Sequence, residues 1–265
     1  MHQVHYHHFC SSHVWRQYPV NWTGLHVCSF VCKLADEDKP FDIKLYQQAI
    51  GCLTYAATTT RPDIAAAVSV LSQYMSAPSE DHWSGIKRIL RYIKGTTNYG
   101  LHFSSDGINN LSGYSDADWA GDTDTRRSTS GYTFHIGNAL ISWSSKKQAT
   151  VAKSSTEAEY VALSIATQEA IWLRRLLNGI GYVVTSPTII YEDNQGAIEL
   201  SKNAKHQSRI KHVDISFHFV RERVVMKEVE IKYCPSNEMI ADIMTKGIPK
   251  FTFEMLRELL CVGKV

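Results

Sequence analysis

Residues 114–121 read YSDADWAG and residues 156–163 read TEAEYVAL, and these two stretches decide the fold. The first predicts a β-strand that contains a carboxylate, with Tyr114 and Asp116 on the same strand face if side chains alternate. Burying an unpaired charge there is costly, so Asp116 is a candidate ligand of a cation. Asp118 shares that face two residues later and is the rival candidate.

The second stretch lies in a long helix, predicted over residues 155–177, and its periodicity separates two glutamates. Glu159 begins a row of apolar positions at helical spacing, which predicts that this row packs on the sheet. The row continues through Leu163, Ala166, Ala170, Leu173 and Leu177. Glu157 begins a mixed and more polar row, so Glu159 is the candidate ligand. Both glutamates also fit a capping box, with Ser154 and Thr156, and that structural role stays open above all for Glu157.

Two further acids stand where a metal centre could use them. Asp193 follows a short apolar run predicted as a buried strand, at the carboxyl end where open α/β sheets place ligand sites. An Asx turn or a helix N-cap is the alternative for Asp193. Asp242 lies in SNEMIADIMTK, residues 236–246, and a surface position on a helix is its alternative.

Four carboxylates on separate elements of one α/β domain predict a divalent metal site. Oxygen ligands without histidine or cysteine pairs favour Mg²⁺ or Mn²⁺ over zinc. Two such ions serve in-line phosphodiester displacement, in which one activates water and the other stabilises the leaving oxygen.

The rest of the sequence predicts an α/β fold with a mixed sheet. Helical spacing predicts three helices within residues 41–94, and the third opens at Ser79. Its basic face, which is solvated or contacts a phosphate backbone, consists of Lys87, Arg88, Arg91 and Lys94. Strands are predicted at residues 110–119, 130–137, 139–145, 188–191 and 229–234, with a Gly137-Asn138 hairpin and a helix at residues 214–225.

Composition bounds the class of protein. Among 265 residues, 28 Lys+Arg face 26 Asp+Glu, a net charge of +2 that speaks against a strongly basic nucleic-acid coat or an acidic disordered tail. A hydrophobic fraction of 44% is enough for a real core. The sequence has no secretory signal pattern and no apolar run of membrane-spanning length, so we expect an intracellular protein, in a cytoplasmic particle or the nucleus. Residues 1–40 are predicted to be an irregular leader, with a metal-binding tract as the alternative for their histidine-rich start.

Together the motifs resemble the ribonuclease H domain of copia-type LTR retrotransposon Pol polyproteins. The resemblance rests on YSDADWAG, STSGY, ISWSSKKQATVAKSSTEAEYVAL, YEDNQGAI, KHVDISFHFVRE and ADIMTK, in that order along the chain. Residues 45–101 resemble the segment that follows the reverse transcriptase palm in these polyproteins. The implied fold is a ribonuclease H-like mixed five-stranded sheet flanked by helices and preceded by a small helical segment. We predict a leader at residues 1–40, a helical connection remnant at 41–104, a ribonuclease H-like domain at 108–247 and a C-terminal helix at 248–265.

The resemblance also implies an activity and the residues that perform it. Four acids match those of the family, so they are the predicted catalytic residues and the predicted ligands of two Mg²⁺ or Mn²⁺ ions: Asp116, Glu159, Asp193 and Asp242. The implied activity is cleavage of the RNA strand of an RNA–DNA hybrid, whose 2′-hydroxyls are read in a wide minor groove. A basic stretch suits the duplex backbone, and the residues predicted to bind nucleic acid are Lys202, Lys205, Arg209, Lys211 and His212.

Two departures from the family pattern and two alternatives remain. Cellular ribonucleases H often carry a histidine in the loop before the last acid, whereas here that loop reads CPSNEM, and we interpret His218 as a packed, structural residue. No Y-x-D-D motif of a polymerase palm occurs, so we expect the palm to be absent and no polymerase activity. The alternatives are a catalytically silent nucleic-acid-binding remnant of a polyprotein and an integrase-like strand-transfer domain. The second is weaker because no zinc-binding His/Cys pair precedes the domain.

Overall fold

A computed structural model describes residues 40–103, 110–202 and 214–265 of the chain. The predicted leader lies outside these ranges except for Pro40. Four of the five residues predicted to bind nucleic acid also lie outside them, namely Lys205, Arg209, Lys211 and His212. The predictions on those residues stay predictions.

Three helices form the first part of the described chain, as helical spacing predicts. They are α1 (Ile43–Thr59), α2 (Ala65–Ser72) and α3 (Glu80–Gly95). The residue before a proline is pushed out of the α region, and the helical pattern breaks there into a 3-10 turn at Pro62–Ile64. The Ser79 hydroxyl accepts a hydrogen bond from the backbone N–H of His82, which confirms Ser79 as the N-cap of α3. The apolar rows of the three helices meet in a core that includes Tyr46, Ile50, Leu53, Ile64, Val68, Leu71, Ile86 and Ile89.

The second part of the described chain alternates strands and helices. In chain order its elements are β1 (Tyr99–Leu101), β2 (Leu111–Asp118), β3 (Thr129–Ile136), β4 (Ala139–Lys147), α4 (Ser155–Gly179), β5 (Thr188–Glu192), α5 (Gln195–Lys202), α6 (Asp214–Val225) and β6 (Val229–Tyr233). The hairpin between β3 and β4 turns at Gly137, whose φ of 57° lies in the left-handed region that glycine adopts readily. The hairpin predicted at that position is therefore confirmed.

Five of the strands form one mixed sheet in the order β4-β3-β2-β5-β6. β2 pairs antiparallel with β3 and parallel with β5, while β5 pairs parallel with β6. α4 packs against β2 and β3 and also contacts α5 and α6. The predicted fold class, a mixed five-stranded sheet flanked by helices, is confirmed.

The last elements are a four-residue helix, α7 (Asp242–Thr245), a longer helix, α8 (Lys250–Leu259), and a strand, β7 (Val262–Lys264). The prediction of a helix over residues 248–265 is wrong at its end, because the helix stops at Leu259. Cys261 has a φ of 60°, which no α-helix continues, and the strand that follows pairs antiparallel with β1. Val262 is fully buried in that pairing.

The helical part and the sheet share a hydrophobic core. It includes Leu140 of β4, Met244 of α7 and Leu256 of α8, and Tyr92 and Trp143 pack against it from either part. The Trp143 indole N–H also donates a hydrogen bond of 2.7 Å to the carbonyl oxygen of Ala57 in α1. Among the residues that the structure describes, no helix is both long and apolar enough to cross a lipid bilayer.

Candidate metal centre

The centre is built on β2, the middle strand of the five. β3 and β5 flank this strand, and Asp116 is fully buried at 0% exposure. Gly131 of β3 lies opposite Asp116 in the sheet. A Cβ atom at Gly131 would lie 2.6 Å from Met244 Cβ and from Thr245 Cγ2. The absence of a side chain at Gly131 therefore lets α7 approach the strand beside Asp116.

Three of the four predicted acids converge at this point. Asp116 comes from β2, Glu159 from the N-terminal end of α4, and Asp193 directly follows β5. Each offers one carboxylate oxygen, and the three oxygens lie within 4.8 Å of one another. Residues far apart in the sequence thus form one cluster, which we call the three-acid group.

Glu159 is a buried member of the three-acid group whose hydrogen bonds are incomplete. It is 7% exposed, and its carboxylate accepts a hydrogen bond from the backbone N–H of Ala117. Its Oε2 atom is buried and has no hydrogen-bond partner within the described residues. Burial raises the pKa of the Glu159 carboxyl to about 9, and repulsion from the carboxylates of Asp116 and Asp193 adds to the rise.

Asp193 is half-buried and is fixed by the loop before α7. The Ser236 hydroxyl donates a hydrogen bond of 2.7 Å to Asp193 Oδ2. The helix N-cap that was the alternative role for Asp193 is provided by Asn194 instead, whose Oδ1 accepts from the backbone N–H of Ala197 at 3.0 Å. The Asp193 side chain therefore remains available to the cluster.

Asp242, the fourth predicted acid, joins the cluster through a lysine. Lys246 Nζ lies 2.8 Å from Asp242 Oδ1 and 2.9 Å from Asp116 Oδ1. Burial raises the pKa of Asp242 to about 6, and the Asp116 carboxylate adds to the rise while the Lys246 ammonium opposes it. The Thr245 hydroxyl donates a hydrogen bond to the other oxygen of Asp116, Oδ2. The other three predicted acids therefore lie around Asp116.

The two rival acids, Asp118 and Glu157, lie outside the three-acid group. Asp118 is half-buried and lies against Gly121, where a Cβ atom would fall 1.7 Å from Asp118 Oδ2. It is not a member of the three-acid group. Glu157 is buried and its Oε2 accepts from the backbone N–H of Lys153 at 2.9 Å, while its own N–H donates to Ser154 Oγ. Glu157 therefore helps to cap α4, as its capping alternative predicts.

Sequence reasoning missed three residues at the centre. Glu192 is fully buried, and its Oε2 has no partner within the described residues, while the pKa of its carboxyl is raised well above the ordinary value by burial and by Glu159. Period-two alternation along β5 could have found Glu192, because it shares a strand face with Thr188 and Ile190. Thr245 and Lys246 follow Asp242 within one helical turn, and the i,i+4 spacing of Asp242 and Lys246 was a usable signal.

Two predictions on basic residues have different outcomes. Lys202 is exposed in the last turn of α5, so it is available to a ligand, whereas the other predicted nucleic-acid-binding residues lie outside the described ranges. The interpretation of His218 as a packed residue is wrong: its side chain is exposed on α6. The apolar neighbours of His218 in the sequence suggested burial, but helical spacing places it on the outer face of the helix.

The donor set fits a hard divalent cation. Each ligand atom of the three-acid group is a carboxylate oxygen, which suits Mg²⁺ or Mn²⁺ rather than zinc or copper. Buried carboxyl groups that repel one another are stabilised by a cation between them, and the unpartnered Glu159 Oε2 lies at such a position. The residues present therefore fit a divalent metal.

The sheet order and the placement of these acids define the ribonuclease H-like class of fold. A solved structure similar to this fold is that of the foamy viral protease-reverse transcriptase in complex with RNA/DNA hybrid. Its TM-score is 0.50 at 12% sequence identity, and the match covers 79% of this chain and 27% of that chain.

Similarity in sequence shows the family of the chain. It is 44% identical over 232 residues to the retrovirus-related Pol polyprotein from transposon TNT 1-94 of Nicotiana tabacum, a match that covers 87% of this chain and 17% of the polyprotein. The chain belongs to the retrovirus-related Pol polyproteins of transposons, of the copia type that its motifs predict. It is also 59% identical over 128 residues to secreted RxLR effector protein 161 of Plasmopara viticola, over 48% of this chain and 90% of that protein. No model of a protein family matches the sequence.

Proposed function

We propose that this chain is a divalent-metal-dependent endonuclease that cleaves the RNA strand of RNA–DNA hybrids within the reverse-transcription apparatus of a retrotransposon. The observation that carries the proposal is the convergence of Asp116, Glu159 and Asp193 around a buried carboxylate oxygen without a partner in the described residues. Similarity to transposon Pol polyproteins supports the biological setting, and a fold neighbour solved with an RNA/DNA hybrid supports the substrate.

The proposed ligands divide into two overlapping sets. Asp116, Glu159 and Asp193 would hold one ion, and Asp116 with Asp242 would hold the other. When bound, the two Mg²⁺ or Mn²⁺ ions activate a water molecule and stabilise the leaving oxygen of the phosphodiester.

The rest of the centre keeps these carboxylates in position. Thr245 binds one oxygen of Asp116, and Ser236 binds Asp193. The backbone N–H of Ala117 binds Glu159. Ligands held in this way lose little freedom when a metal and a substrate phosphate arrive, which lowers the barrier to an in-line reaction.

The substrate backbone requires positive charge beside the centre. Lys202 is exposed on α5, the helix that directly follows Asp193. Together with the basic residues predicted at 205, 209 and 211, it forms the proposed contact to the phosphates of the hybrid. Contacts of this kind weaken as the salt concentration rises.

The test is cleavage of an end-labelled RNA–DNA hybrid by the purified chain in Mg²⁺ or Mn²⁺, beside single-stranded RNA and duplex DNA. We expect cleavage of the hybrid alone, and loss of cleavage in EDTA. Asp116→Asn and Asp193→Asn each remove a ligand charge and reduce the rate by at least about 100-fold, since metal stabilisation of the transition state is worth several kcal/mol. The matched control is Asp124→Asn, an exposed acid outside the cluster, which cleaves like the unaltered chain.

Two results contradict the proposal. Undiminished cleavage by Asp193→Asn assigns the activity to other residues or to a contaminant. Salt-sensitive binding of the hybrid without cleavage in either metal favours the alternative of a catalytically silent nucleic-acid-binding remnant.

A further inference from the structure

Lys246 occupies a position that the proposed two-ion mechanism assigns to a metal. Its Nζ atom lies 2.9 Å from Asp116 Oδ1 and 2.8 Å from Asp242 Oδ1, so one ammonium bridges the first and fourth acids. A divalent cation that bridges the same two oxygens has to replace Nζ, because both positive charges cannot share that space. We propose that the Lys246 ammonium is the built-in cation of this second position, so that the free protein binds one divalent ion rather than two.

The local structure holds Lys246 in place. It directly follows α7, and its backbone N–H donates to the carbonyl oxygen of Asp242 at 3.0 Å, which places the two side chains one turn apart on the same side of the helix. Thr245, the residue before it, donates its hydroxyl to Asp116. The glycine at position 131 lets this turn lie directly on β3, next to the strand that carries Asp116. The backbone hydrogen bond, the Thr245 hydroxyl and the close packing on β3 together position the ammonium.

Burial distinguishes this pair of contacts from an ordinary surface ion pair. The Asp116 side chain is fully buried and that of Asp242 is 18% exposed, whereas Lys246 keeps 34% of its side chain exposed. The lysine thus enters from solvent, and its long flexible side chain can withdraw in the same direction. Within the described residues, no ion pair of this kind reaches the other two members of the three-acid group, and Glu159 Oε2 has no partner there. One cation position is therefore filled by the protein, and the other is left for a metal.

The inference rests on the ligand sets of the proposed function, but it makes a separate prediction about the free protein. The probe is Mn²⁺, and the number of ions bound per chain is counted by electron paramagnetic resonance and by titration calorimetry in the absence of nucleic acid. We expect the unaltered chain to bind about one ion and Lys246→Met to bind about two, because the vacated position between two carboxylates accepts a divalent ion. Lys246→Arg keeps the positive charge and binds about one ion.

Metal-free stability provides a second measurement on the same variants. Lys246→Met leaves Asp116 and Asp242 facing each other without a cation, so its Tm in EDTA falls by roughly 5–10 °C and recovers when Mn²⁺ is added. The matched control is Lys232→Met, which removes an exposed lysine 3.5 Å from Glu230 and changes neither the ion count nor the metal-dependent part of the Tm.

The outcomes separate this inference from the proposed function. An equal ion count in the unaltered chain and in Lys246→Met overturns the inference, as does a count of two in the unaltered chain, whether or not the variant is stable. A change from one ion to two in a chain that cleaves no hybrid supports the inference and contradicts the proposed nuclease. Cleavage of the hybrid by a chain whose ion count is the same with and without Lys246→Met supports the proposed nuclease and contradicts the inference.

Discussion

Two buried clusters of charged residues in this chain differ in how far protein partners compensate their charges. In the helical part, Asp63 is 4% exposed, yet both of its oxygens are satisfied: Oδ1 accepts from Arg61 Nε at 2.9 Å, and Oδ2 accepts from Arg61 Nη2 at 2.8 Å and from the Tyr92 hydroxyl at 2.6 Å. Arg61 also donates to Thr96, and Arg257 donates to the Tyr92 hydroxyl. Each carboxylate oxygen of Asp63 thus has a protein partner, as a buried charged group needs.

The acid cluster of the sheet lacks such compensation. Glu159 and Glu192 each keep a buried oxygen without a partner in the described residues, and the single lysine that enters the cluster bridges only Asp116 and Asp242. Within the described residues, the chain therefore pairs the buried acid of its helical part and leaves the buried acids of the sheet short of positive charge. This deficit of positive charge supports the proposal that a bound cation is the missing partner of the acids.

The largest effect on stability is expected in the paired cluster. Asp63→Asn keeps the shape of the side chain but leaves the Arg61 guanidinium buried without its counter-charge, which costs about 3–5 kcal/mol. Thermal denaturation measures this as a fall in Tm on the order of 10 °C, with or without divalent metal. Asp124→Asn, at an exposed position, is the control. If adding Mn²⁺ restored the Tm of Asp63→Asn, the stability of the Asp63 cluster would also depend on metal, and the contrast between the two clusters would not hold.

The matching substitution in the acid cluster is expected to have the opposite sign. In the metal-free protein, burial and like charges raise the pKa of Glu159 from 4.5 to about 9. A group whose pKa is raised by folding contributes stability that is fully present below its unfolded pKa and is lost as the pH rises through the folded value. Glu159→Gln removes this loss, so at about pH 8 in EDTA the variant is more stable by a few kcal/mol.

The pH and metal dependence of the Glu159→Gln effect make this prediction specific. The difference in Tm between variant and unaltered chain shrinks toward zero below about pH 4, where the Glu159 carboxyl is largely protonated in both the folded and the unfolded state. Mn²⁺ stabilises the unaltered chain more than the variant, because binding to the folded state alone raises stability. Glu230→Gln, at an exposed glutamate, serves as the control. A variant that is less stable than the unaltered chain at pH 8 in EDTA contradicts the proposed charge deficit.

The smallest effect concerns the bond that joins the two regions. Trp143 of β4 donates its indole N–H to the carbonyl oxygen of Ala57 in α1. Trp143→Phe keeps most of the apolar contact and removes this hydrogen bond, which costs about 1 kcal/mol. Trp172→Phe changes an exposed tryptophan and is expected to have no measurable effect on Tm. If denaturation of Trp143→Phe splits into two transitions, the helical part and the sheet are less firmly joined than the shared core indicates.

Much of the fold follows from periodicity. The 3.6-residue spacing of apolar residues places the three N-terminal helices and α4, and the alternation of side chains places the five strands of the mixed sheet. The end of the chain could not be found in the same way. β7 is three residues long, too short to show a period, and it exists because β1 offers it an edge more than 160 residues earlier in the sequence.

The candidate site was only partly accessible to sequence reasoning. Asp116 and Glu159 stand out because a carboxylate on an apolar face has few alternatives, and the structure brings both together with Asp193. The contributions of Thr245 and Lys246 depend on how closely α7 approaches β3. That approach is set by a glycine on another strand, and no pattern within ADIMTK contains this information.

The strand pair β1–β7 also has a consequence for the order in which the chain folds during synthesis. Domains generally fold as units while they emerge from the ribosome, starting with the N-terminal one. Here the helical part emerges before the sheet, but β1, which follows it in the chain, pairs with β7, and the Tyr92 hydroxyl accepts from Arg257, 165 residues later. In the nascent chain β1 therefore stays without its partner strand until the whole sheet has been made. The helical part is thus made before the sheet but receives its last contacts only after the sheet is complete.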